Sequence, residues 1–276
     1  MLNFFKKKEK KQAKKNPVAK EKAPSKSSTG RSQEELATVK GQIGEHKIDI
    51  QLAQLPKEYK YINDLMVKNS KSKTGYSQID HIVISPYGIF VIETKNYQGT
   101  IYGGKDRKTW LINGKFKFMN PFHQNYGHVE GLKQLIDSKH HDAFISMVSF
   151  TKRCTFKIDL ELRKIHSNDL IVYDIELSEF IHRKVSVNKL QNQEPFLSED
   201  EVNEVYSLFI GVNITDEKIR EQHNQAIKEK SNKAEKALSK CVVCDKPVSE
   251  KVKNYCLSSK KFGGKVYCFE HQKNIC

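Results

Sequence analysis

Apolar residues recur at regular intervals between residues 33 and 215, and these intervals predict an alternation of helices and strands. Over residues 33–55 they follow the three- to four-residue spacing of one helix face, at Leu36, Val39, Ile43, Ile48, Leu52 and Leu55. Shorter apolar runs with the length and composition of strands lie at residues 59–67, 78–95, 143–151 and 170–175. The chain is therefore predicted to contain both helices and strands.

Local sequence signals fix the ends of several predicted elements. The Asn-Gly pair at residues 113–114, between two short apolar runs, is typical of a β-hairpin turn. The Asn-Pro pair at residues 120–121 predicts the start of a helix, because asparagine caps free amide groups and proline suits the first turn. Ser198 and Glu201 predict a capping box for a later helix. The helix after Pro121 would bury Phe122, Tyr126, Val129, Leu132 and Ile136.

Residues 78–95 are interpreted as one antiparallel hairpin with an even-length loop. This register places Asp80 opposite Glu93 on one face. Because side chains alternate along a strand, Lys95 shares the face of Glu93. Both faces are mostly apolar, which predicts an interior strand pair covered on both sides. We expect the face of Asp80 to continue into Ile82, Ile84, Ile89 and Val91, and the opposite face to carry Ile79, Val83, Phe90 and Ile92.

The opposed carboxylates give this hairpin its candidate chemistry. Two such groups in a half-buried place repel each other, so one should stay protonated or a cation should lie between them. Mg²⁺ binds through one or two carboxylates and keeps several waters, and there it can activate water and neutralise a scissile phosphate. Lys95 could then hold the attacking water or the transition-state charge. The alternative is a structural ion pair, because chance matches to D-x12-E-x-K are common in a lysine-rich chain.

Four separated sequence blocks make the D-x12-E-x-K match more specific. They are GQIGEH at 41–46, the run at 78–104, Trp110, and NPFHQN at 120–125. Together, over about residues 35–155, they resemble the nuclease-related domain family, NERD. That family is similar to the PD-(D/E)xK nucleases. The resemblance therefore implies a restriction-endonuclease-like mixed sheet flanked by helices, and Mg²⁺-dependent or Mn²⁺-dependent hydrolysis of phosphodiester bonds.

The resemblance also implies roles for five residues. Asp80 and Glu93 would be the carboxylates that hold Mg²⁺, and Lys95 would be the catalytic lysine. Glu45, in the G-x-x-G-E block, would be an accessory acid on the first helix. Gln124, in N-P-x-x-Q, would support the site from one turn into its helix. Without the resemblance, Glu45 would be interpreted as a solvated residue and Gln124 as a partner of backbone groups.

Other residues near these positions are given no catalytic role. His81 is predicted to lie on the face opposite Asp80, and both His81 and His128 are left out of the predicted site. Trp110 and Tyr97 are expected to be packing residues rather than platforms for bases.

The net charge of +15 is concentrated at the two ends of the chain. Residues 1–31 carry ten lysines and Arg31 against two glutamates, and residues 216–276 carry fourteen basic residues against eight acidic ones. The residues between have no net charge. Residues 1–31 also lack apolar periodicity, which predicts a disordered basic tail. Such basic ends are expected to bind a polyanion, either nucleic acid or an anionic membrane surface. The alternative is that the N-terminal tail is only a solvated segment without a partner.

Five of the six cysteines lie in the last 36 residues. Cys241 and Cys244 form one C-x-x-C pair, and Cys268 with His271 forms a second pair of the same spacing. Two such pairs are typical of a structural Zn²⁺ site. Cys256 is a rival for the position of His271. Disulfides are disfavoured because the N-terminal sequence has no apolar segment of a secretory signal, which predicts a reducing, cytoplasmic location.

These observations predict five segments and one leading function. The segments are a basic tail (1–31), a NERD nuclease-like domain (32–155), an extension of the α/β body (156–215), a charged helical linker (216–240) and a zinc-ribbon-like module (241–276). The leading hypothesis is a Mg²⁺-dependent nuclease that acts on DNA. The alternatives are a catalytically idle nuclease fold that binds nucleic acid or scaffolds a partner, and a weak membrane contact through Leu2, Phe4 and Phe5.

Overall fold

A computed structural model of the chain describes residues 33–236 and 239–275. The predicted basic tail, residues 1–31, lies outside the described residues. Within those ranges, no helix combines the length and the apolar character needed to cross a membrane.

The described residues form helices and strands in mixed order. The helices are α1 Gln33–Leu52, α2 Pro121–Lys133, α3 Leu177–Gln191, α4 Glu199–Val212, α5 Glu217–Lys236, α6 Glu250–Ser258 and α7 Phe269–Gln272. The strands are β1 Lys60–Lys68, β2 Tyr76–Ser85, β3 Gly88–Lys95, β4 Gly99–Tyr102, β5 Thr109–Ile112, β6 Phe116–Met119, β7 Phe144–Phe150, β8 Cys154–Lys157 and β9 Asp169–Tyr173. The predicted mixed α/β class is confirmed.

The predicted turn and cap signals are confirmed. Asn113 and Gly114 have φ angles of 53° and 69°, so both adopt the left-handed conformation in the turn between β5 and β6. The Asn120 side chain accepts a hydrogen bond from Phe122 N at the start of α2. At the start of α4, Ser198 and Glu201 form the reciprocal capping box.

The main sheet has the order β1-β2-β3-β7-β9. Strands β1, β2 and β3 form an antiparallel meander, whereas β7 and β9 add in parallel to β3. The β2–β3 register is the predicted one, and the backbone ladder ends at the pair His81–Ile92. The candidate carboxylates Asp80 and Glu93 therefore lie just beyond the last paired residues of the hairpin.

Helices cover both faces of the main sheet, as the apolar character of both strand faces predicts. On one face, α1 and α3 pack through residues such as Ile48, Leu52 and Ile181. On the other face, α2 and α4 pack through residues such as Leu132 and Phe209. Strands β2 and β3 are thus buried in the middle of a three-layer arrangement.

A second sheet, β6-β5-β4-β8, packs beside the first around the fully buried Trp110. The predicted packing role of Trp110 is confirmed. A Cβ at Gly103 would lie 2.2 Å from the indole ring, so only glycine fits there. The indole N–H donates to Gly104 O at 3.0 Å, and the buried Asn120 side chain donates to Lys105 O at 3.0 Å. These contacts fix the loop between β4 and β5 against Trp110 and against Asn120, which caps α2.

Some predicted apolar positions are wrong. Ile79 packs with Ile82 in one core cluster rather than with Val83 in the other. The β1–β2 ladder skips the pair Asp64–Asp80, and Asp64 has a φ of 53°, so the strand alternation breaks there.

Tyr126 and Ile43 were also predicted to be on buried helix faces. Tyr126 is 65% exposed and Ile43 is 50% exposed. Both have the right spacing along their helices, but nothing in the described part of the fold covers them.

Helix α5, in the predicted charged linker, is fixed to the edge strand β1 at its first turn. The Arg220 guanidinium donates to Asp64 Oδ2 at 2.6 Å, to the carbonyl oxygen of Asp64 at 2.9 Å and to Ile214 O at 2.7 Å. Ile214 N in turn donates to Met66 O at 2.8 Å. The start of the linker helix is therefore part of the α/β body.

Candidate active site and metal centre

The candidate active site lies at the carboxyl end of β3, beneath α2. Glu93 and Lys95 lie on one face of β3, and the Lys95 ammonium donates to Glu93 Oε1. Lys95 Nζ also donates to Gln124 Oε1 at 3.1 Å. His128, one turn further along α2, places Nε2 3.6 Å from Glu93 Oε2. The structure thus brings together four side chains from two elements.

Buried amide groups hold α2 in position over β3. Asn125, on the buried side of α2, donates to Val91 O and to Ser146 Oγ, both at 2.8 Å. Asn69 Nδ2 donates to Gly127 O at 3.2 Å, and a Cβ at Gly131 would lie 3.1 Å from that nitrogen. These contacts link α2 to β1, β3 and β7, so the position of Gln124 and His128 depends on the assembled fold.

Asp80 enters the site from the neighbouring strand. Its Oδ2 accepts a hydrogen bond of 2.7 Å from Thr94 N, which lies between Glu93 and Lys95. Burial, and then the charge of Glu93, raises the pKa of Asp80 well above its ordinary value, although Thr94 N and Lys95 oppose this.

The pKa of Glu93 shifts in the opposite direction. Burial raises the pKa of Glu93, but Lys95 and His128 outweigh burial and hold that pKa below its ordinary value. Burial alone would lower the pKa of Lys95. The negative charge of Glu93 and its hydrogen bond outweigh burial, so the net effect is a raised pKa. The Glu93–Lys95 pair is therefore ionised at neutral pH, and Asp80 is the carboxyl group that keeps a proton most readily.

Glu45 lies on α1, on the other side of this strand end. Partial burial, then the charges of Asp64 and Glu93, raises the pKa of Glu45. Glu45 lines an open pocket of about 220 Å³ together with Asp49, Asp64 and Asp80. Asp64 is paired with Arg220, so Glu45, Asp49 and Asp80 are the carboxyl groups that give the pocket its acidic character, which suits a cation rather than a free anion.

The residues present fit a hard divalent cation. Glu93 is 3% exposed, and its Oε2 makes no hydrogen bond within normal distance, because His128 Nε2 lies 3.6 Å away. A buried carboxylate oxygen without a donor is costly unless an ion or water occupies that side. Asp80 and Glu93 supply the one or two carboxylates that Mg²⁺ needs, and water or phosphate would complete its shell.

Two histidines were missed by the sequence argument. His128 contacts Glu93, and its position four residues after Gln124 on a helix was a signal that could have found it, since residues i and i+4 share a helix face. His81 lines the same pocket as Asp80. Strand alternation alone gave no sign of this, because it places His81 and Asp80 on opposite faces. Burial lowers the pKa of His81 to about 4.

The cysteine-rich segment forms a second candidate site. Ligand atoms of Cys241, Cys244, Cys268 and His271 all lie within 4.8 Å of one another. The sulfurs of Cys244 and Cys268 are 3.8 Å apart, and His271 Nδ1 lies 3.5 Å from Cys241 Sγ and 3.3 Å from Cys268 Sγ. A tetrahedral Zn²⁺ with its usual bond lengths gives about 3.8 Å between sulfurs and about 3.5 Å between sulfur and nitrogen. This cluster could therefore hold a metal ion such as zinc.

Cys256, the rival ligand, lies outside that cluster. It is fully buried, and its sulfur accepts hydrogen bonds from Tyr267 N at 3.4 Å and from Gln272 Nε2 at 3.2 Å. Burial raises the pKa of Cys241, but backbone N–H groups and His271 outweigh burial and lower it to about 6. A thiol with such a pKa readily gives the thiolate that metal binding requires.

Comparisons with known proteins identify the family of this chain. The family model of the nuclease-related domain matches residues 40–151, which include Glu45, Asp80, Glu93, Lys95 and Gln124. An uncharacterized protein of Bacillus anthracis is 34% identical over 189 residues, which cover 67% of this chain and 82% of that relative. No solved structure matches the chain significantly. The chain belongs to the nuclease-related domain (NERD) family.

Proposed function

We propose that this protein is a Mg²⁺-dependent or Mn²⁺-dependent nuclease that hydrolyses phosphodiester bonds in DNA. The observation that carries the proposal is the buried Glu93–Lys95–Gln124 chain of hydrogen bonds beside Asp80. A structural ion pair between Lys95 and Glu93 would not need a second carboxylate whose ionisation is opposed by burial. A cation bound by both carboxylates would explain why Asp80 is buried beside Glu93.

Each residue has a role that its contacts support. Asp80 and Glu93 would hold the divalent cation, which when bound supplies Lewis acidity and charge neutralisation at the scissile phosphate. The Lys95 ammonium has three donors, and Glu93 and Gln124 take two of them. The third can stabilise the charge that develops on a phosphate oxygen. Gln124 fixes the direction of Lys95, and Glu45 serves as an accessory acid.

The other segments would bind the substrate rather than cleave it. We propose that residues 32–155 form the nuclease-like domain, that residues 156–215 extend it, and that residues 216–240 link it to a zinc-binding module at residues 241–276. The module carries seven lysines against three acidic residues over residues 241–276, which suits a polyanion. We place the activity in the cytoplasm.

The direct test is a cleavage assay with supercoiled plasmid, linear duplex and single-stranded DNA. We expect cleavage with Mg²⁺ or Mn²⁺ and none in EDTA. Because EDTA also removes zinc, cleavage should return when Mg²⁺ and a trace of Zn²⁺ are added back, but not with Zn²⁺ alone. DNA binding without cleavage of any substrate would contradict the proposal and favour a catalytically idle binding protein.

A further prediction concerns the basic tail. Deleting residues 2–31 removes ten lysines and Arg31, so it should weaken DNA binding while leaving the rate at saturating substrate unchanged. Each phosphate that a lysine or arginine neutralises contributes about −0.7 to −0.9 to the slope of log K against log salt. We expect the slope measured by fluorescence anisotropy to flatten by about two to four of these increments, because a tail engages only part of its charge.

Equal salt slopes for the full-length and truncated proteins would show that the tail does not serve DNA binding. Sedimentation with anionic vesicles would then test the membrane alternative. Loss of vesicle binding in the double variant Phe4→Ala/Phe5→Ala would indicate insertion of the aromatic side chains.

A further inference from the structure

The loop that joins β7 to β8, residues 151–153, lies directly beside the candidate active site. Phe150, the last residue of β7, pairs with Lys95, the last residue of β3, and Thr151 N donates to Lys95 O at 3.1 Å. Because β3 and β7 are parallel, their carboxyl ends meet at the same edge of the sheet. Lys152 and Arg153, the next two residues of the chain, therefore lie at the edge that carries the site.

The Arg153 side chain is held in place without being neutralised. Arg153 is exposed, and its Nη2 donates to Oδ1 of Asn96, which directly follows Lys95 in the chain. Asn96 in turn packs near Gly44 of α1, where a Cβ would lie 3.5 Å from the asparagine side chain. An amide oxygen has no formal charge, so Arg153 keeps its full positive charge and further N–H donors for a ligand.

Lys152 is oriented by an aromatic ring. Its ammonium lies 4.0 Å from the centre of the ring of Tyr173, the last residue of β9. Such a contact attracts a cation without cancelling its charge. The backbone of the loop is fixed as well, because Lys152 N donates to Asp174 Oδ1 at 3.0 Å.

The carboxylates near this loop do not balance its positive charge. Asp174 is 4% exposed, and its other oxygen lies 3.8 Å from the ammonium of Lys47 on α1. Glu176, two residues further along the chain, is paired with Arg163 at 2.9 Å. Among the described residues, neither cation of the loop forms an ion pair with a carboxylate. Two oriented and exposed positive charges are thus available to an anion at this edge.

We propose that the β7–β8 loop binds the phosphate backbone of DNA, with Arg153 and Lys152 contacting phosphates next to the scissile one. A guanidinium can bind a phosphate through two parallel hydrogen bonds, and an ammonium binds it as a point charge. This inference rests on the proposed nuclease function, and it adds where the substrate lies.

The opposite side of the candidate active site gives the backbone its direction. In the sheet order, β1 and β2 lie on one side of β3, and β7 and β9 lie on the other. The pocket on the β1–β2 side is lined by Glu45, Asp49 and Asp80, and it would repel phosphate. The DNA backbone should therefore run from the metal carboxylates toward the β7–β8 loop.

The test compares variants of the full-length chain whose cysteine cluster has been loaded with Zn²⁺. Lys152→Gln/Arg153→Gln removes both cations of the loop, whereas the swap Lys152→Arg/Arg153→Lys keeps both charges. Binding of a labelled duplex is measured by fluorescence anisotropy in buffer without Mg²⁺ or Mn²⁺, where no cleavage is expected. Each contact between a lysine or arginine and a phosphate contributes about −0.9 to the slope of log K against log salt. We expect Lys152→Gln/Arg153→Gln to flatten this slope by about two such increments for duplexes of any sequence, and the swap to retain it.

The matched control is Arg183→Gln/Lys189→Gln, which removes one exposed arginine and one exposed lysine from α3. Lys189 follows Asn188, whose side chain donates to Tyr87 O at 2.8 Å in the turn between β2 and β3, at the other edge of the sheet. The control has the same net charge as Lys152→Gln/Arg153→Gln, so a difference between them reports position rather than charge. Its salt slope should equal that of the unmodified protein.

Several outcomes would overturn the proposal. These are an unchanged slope in Lys152→Gln/Arg153→Gln, equal flattening in the control, loss of the slope in the swap, and no binding of duplex by the unmodified protein. Binding that depends on the loop without cleavage of any substrate would contradict the nuclease function and leave this binding site in place. Where cleavage occurs, Lys152→Gln/Arg153→Gln should raise KM and leave kcat unchanged, as loss of a uniform binding contact does.

Discussion

Asp80→Asn and Glu93→Gln should each lower the rate of DNA cleavage by about a thousandfold or more under saturating Mg²⁺. Both substitutions keep the shape of the side chain and remove the charge that would hold the cation. Stabilisation of transition-state charge by a bound cation is worth several kcal/mol, and each 1.36 kcal/mol is about tenfold in rate. Single-turnover cleavage of a labelled duplex measures this loss directly.

A matched control is Asp142→Asn, which removes an exposed carboxylate from the 3-10 helix Ser138–Ala143, away from the site. Its cleavage rate should equal that of the unmodified protein. If Asp80→Asn and Glu93→Gln cleave at that rate as well, the assignment of the metal carboxylates is wrong.

The two carboxylates should differ in their effect on stability. The pKa of Asp80 is raised, so ionised Asp80 costs free energy of folding at neutral pH, and Asp80→Asn should raise the midpoint of thermal unfolding in metal-free buffer. Each kcal/mol corresponds to about 2–4 °C. The gain should shrink as the pH falls through the raised folded pKa, and vanish below the ordinary pKa, because Asp80 is then protonated in both states.

Glu93→Gln should instead destabilise the protein. It leaves the Lys95 ammonium, 17% exposed, without its counter-charge. Loss of one partner of a buried ion pair costs about 3–5 kcal/mol. Circular dichroism melts of both variants separate this structural effect from the loss of activity.

Removing zinc should unfold the C-terminal module while the α/β body stays folded. The module has a small core, formed by Cys241, Val248 and Cys268 with a few half-buried neighbours. So small a unit depends on metal binding, which supplies about 10–16 kcal/mol in zinc-finger peptides. We expect one Zn²⁺ per chain by elemental analysis, and loss of amide protection over residues 241–271 alone when a chelator is added.

Matched cysteine variants test which residues complete the tetrahedron. Cys244→Ser and His271→Ala should lower the zinc content and unfold the module. Cys256→Ser should retain zinc, because the sulfur of Cys256 contacts Tyr267 and Gln272 instead of the cluster. Protein purified without chelator that contains no zinc would refute the proposal for this module.

The strand hairpin is the part of the site that the sequence predicted best. The register between β2 and β3 follows from the length of one tight loop, and residues 80 and 93 are close along the chain. The start of α2 at Asn120 was equally predictable, because capping depends on neighbouring residues only. The spacing of the C-x-x-C pair and the C-x-x-H pair likewise predicted that Cys241, Cys244 and Cys268 meet.

The environment of these residues was not predictable in the same way. Tyr126 has the spacing of a buried residue, yet it is exposed, because burial depends on which elements pack over a helix. His81 has the strand position of a residue on the face opposite Asp80, yet both line one pocket, which strand alternation does not predict. The choice of His271 over Cys256 also needed the folded module.

The sequence by itself determined the class of fold, the hairpin that carries Asp80, Glu93 and Lys95, and the two cysteine pairs, because each depends on local spacing. Only the tertiary structure decided that α2 brings His128 to Glu93, and that Asp80 and Glu93 have opposite pKa shifts. The physical reason is that burial and charge are set by elements far apart in the chain, so their effect on a side chain exists only once those elements have packed together.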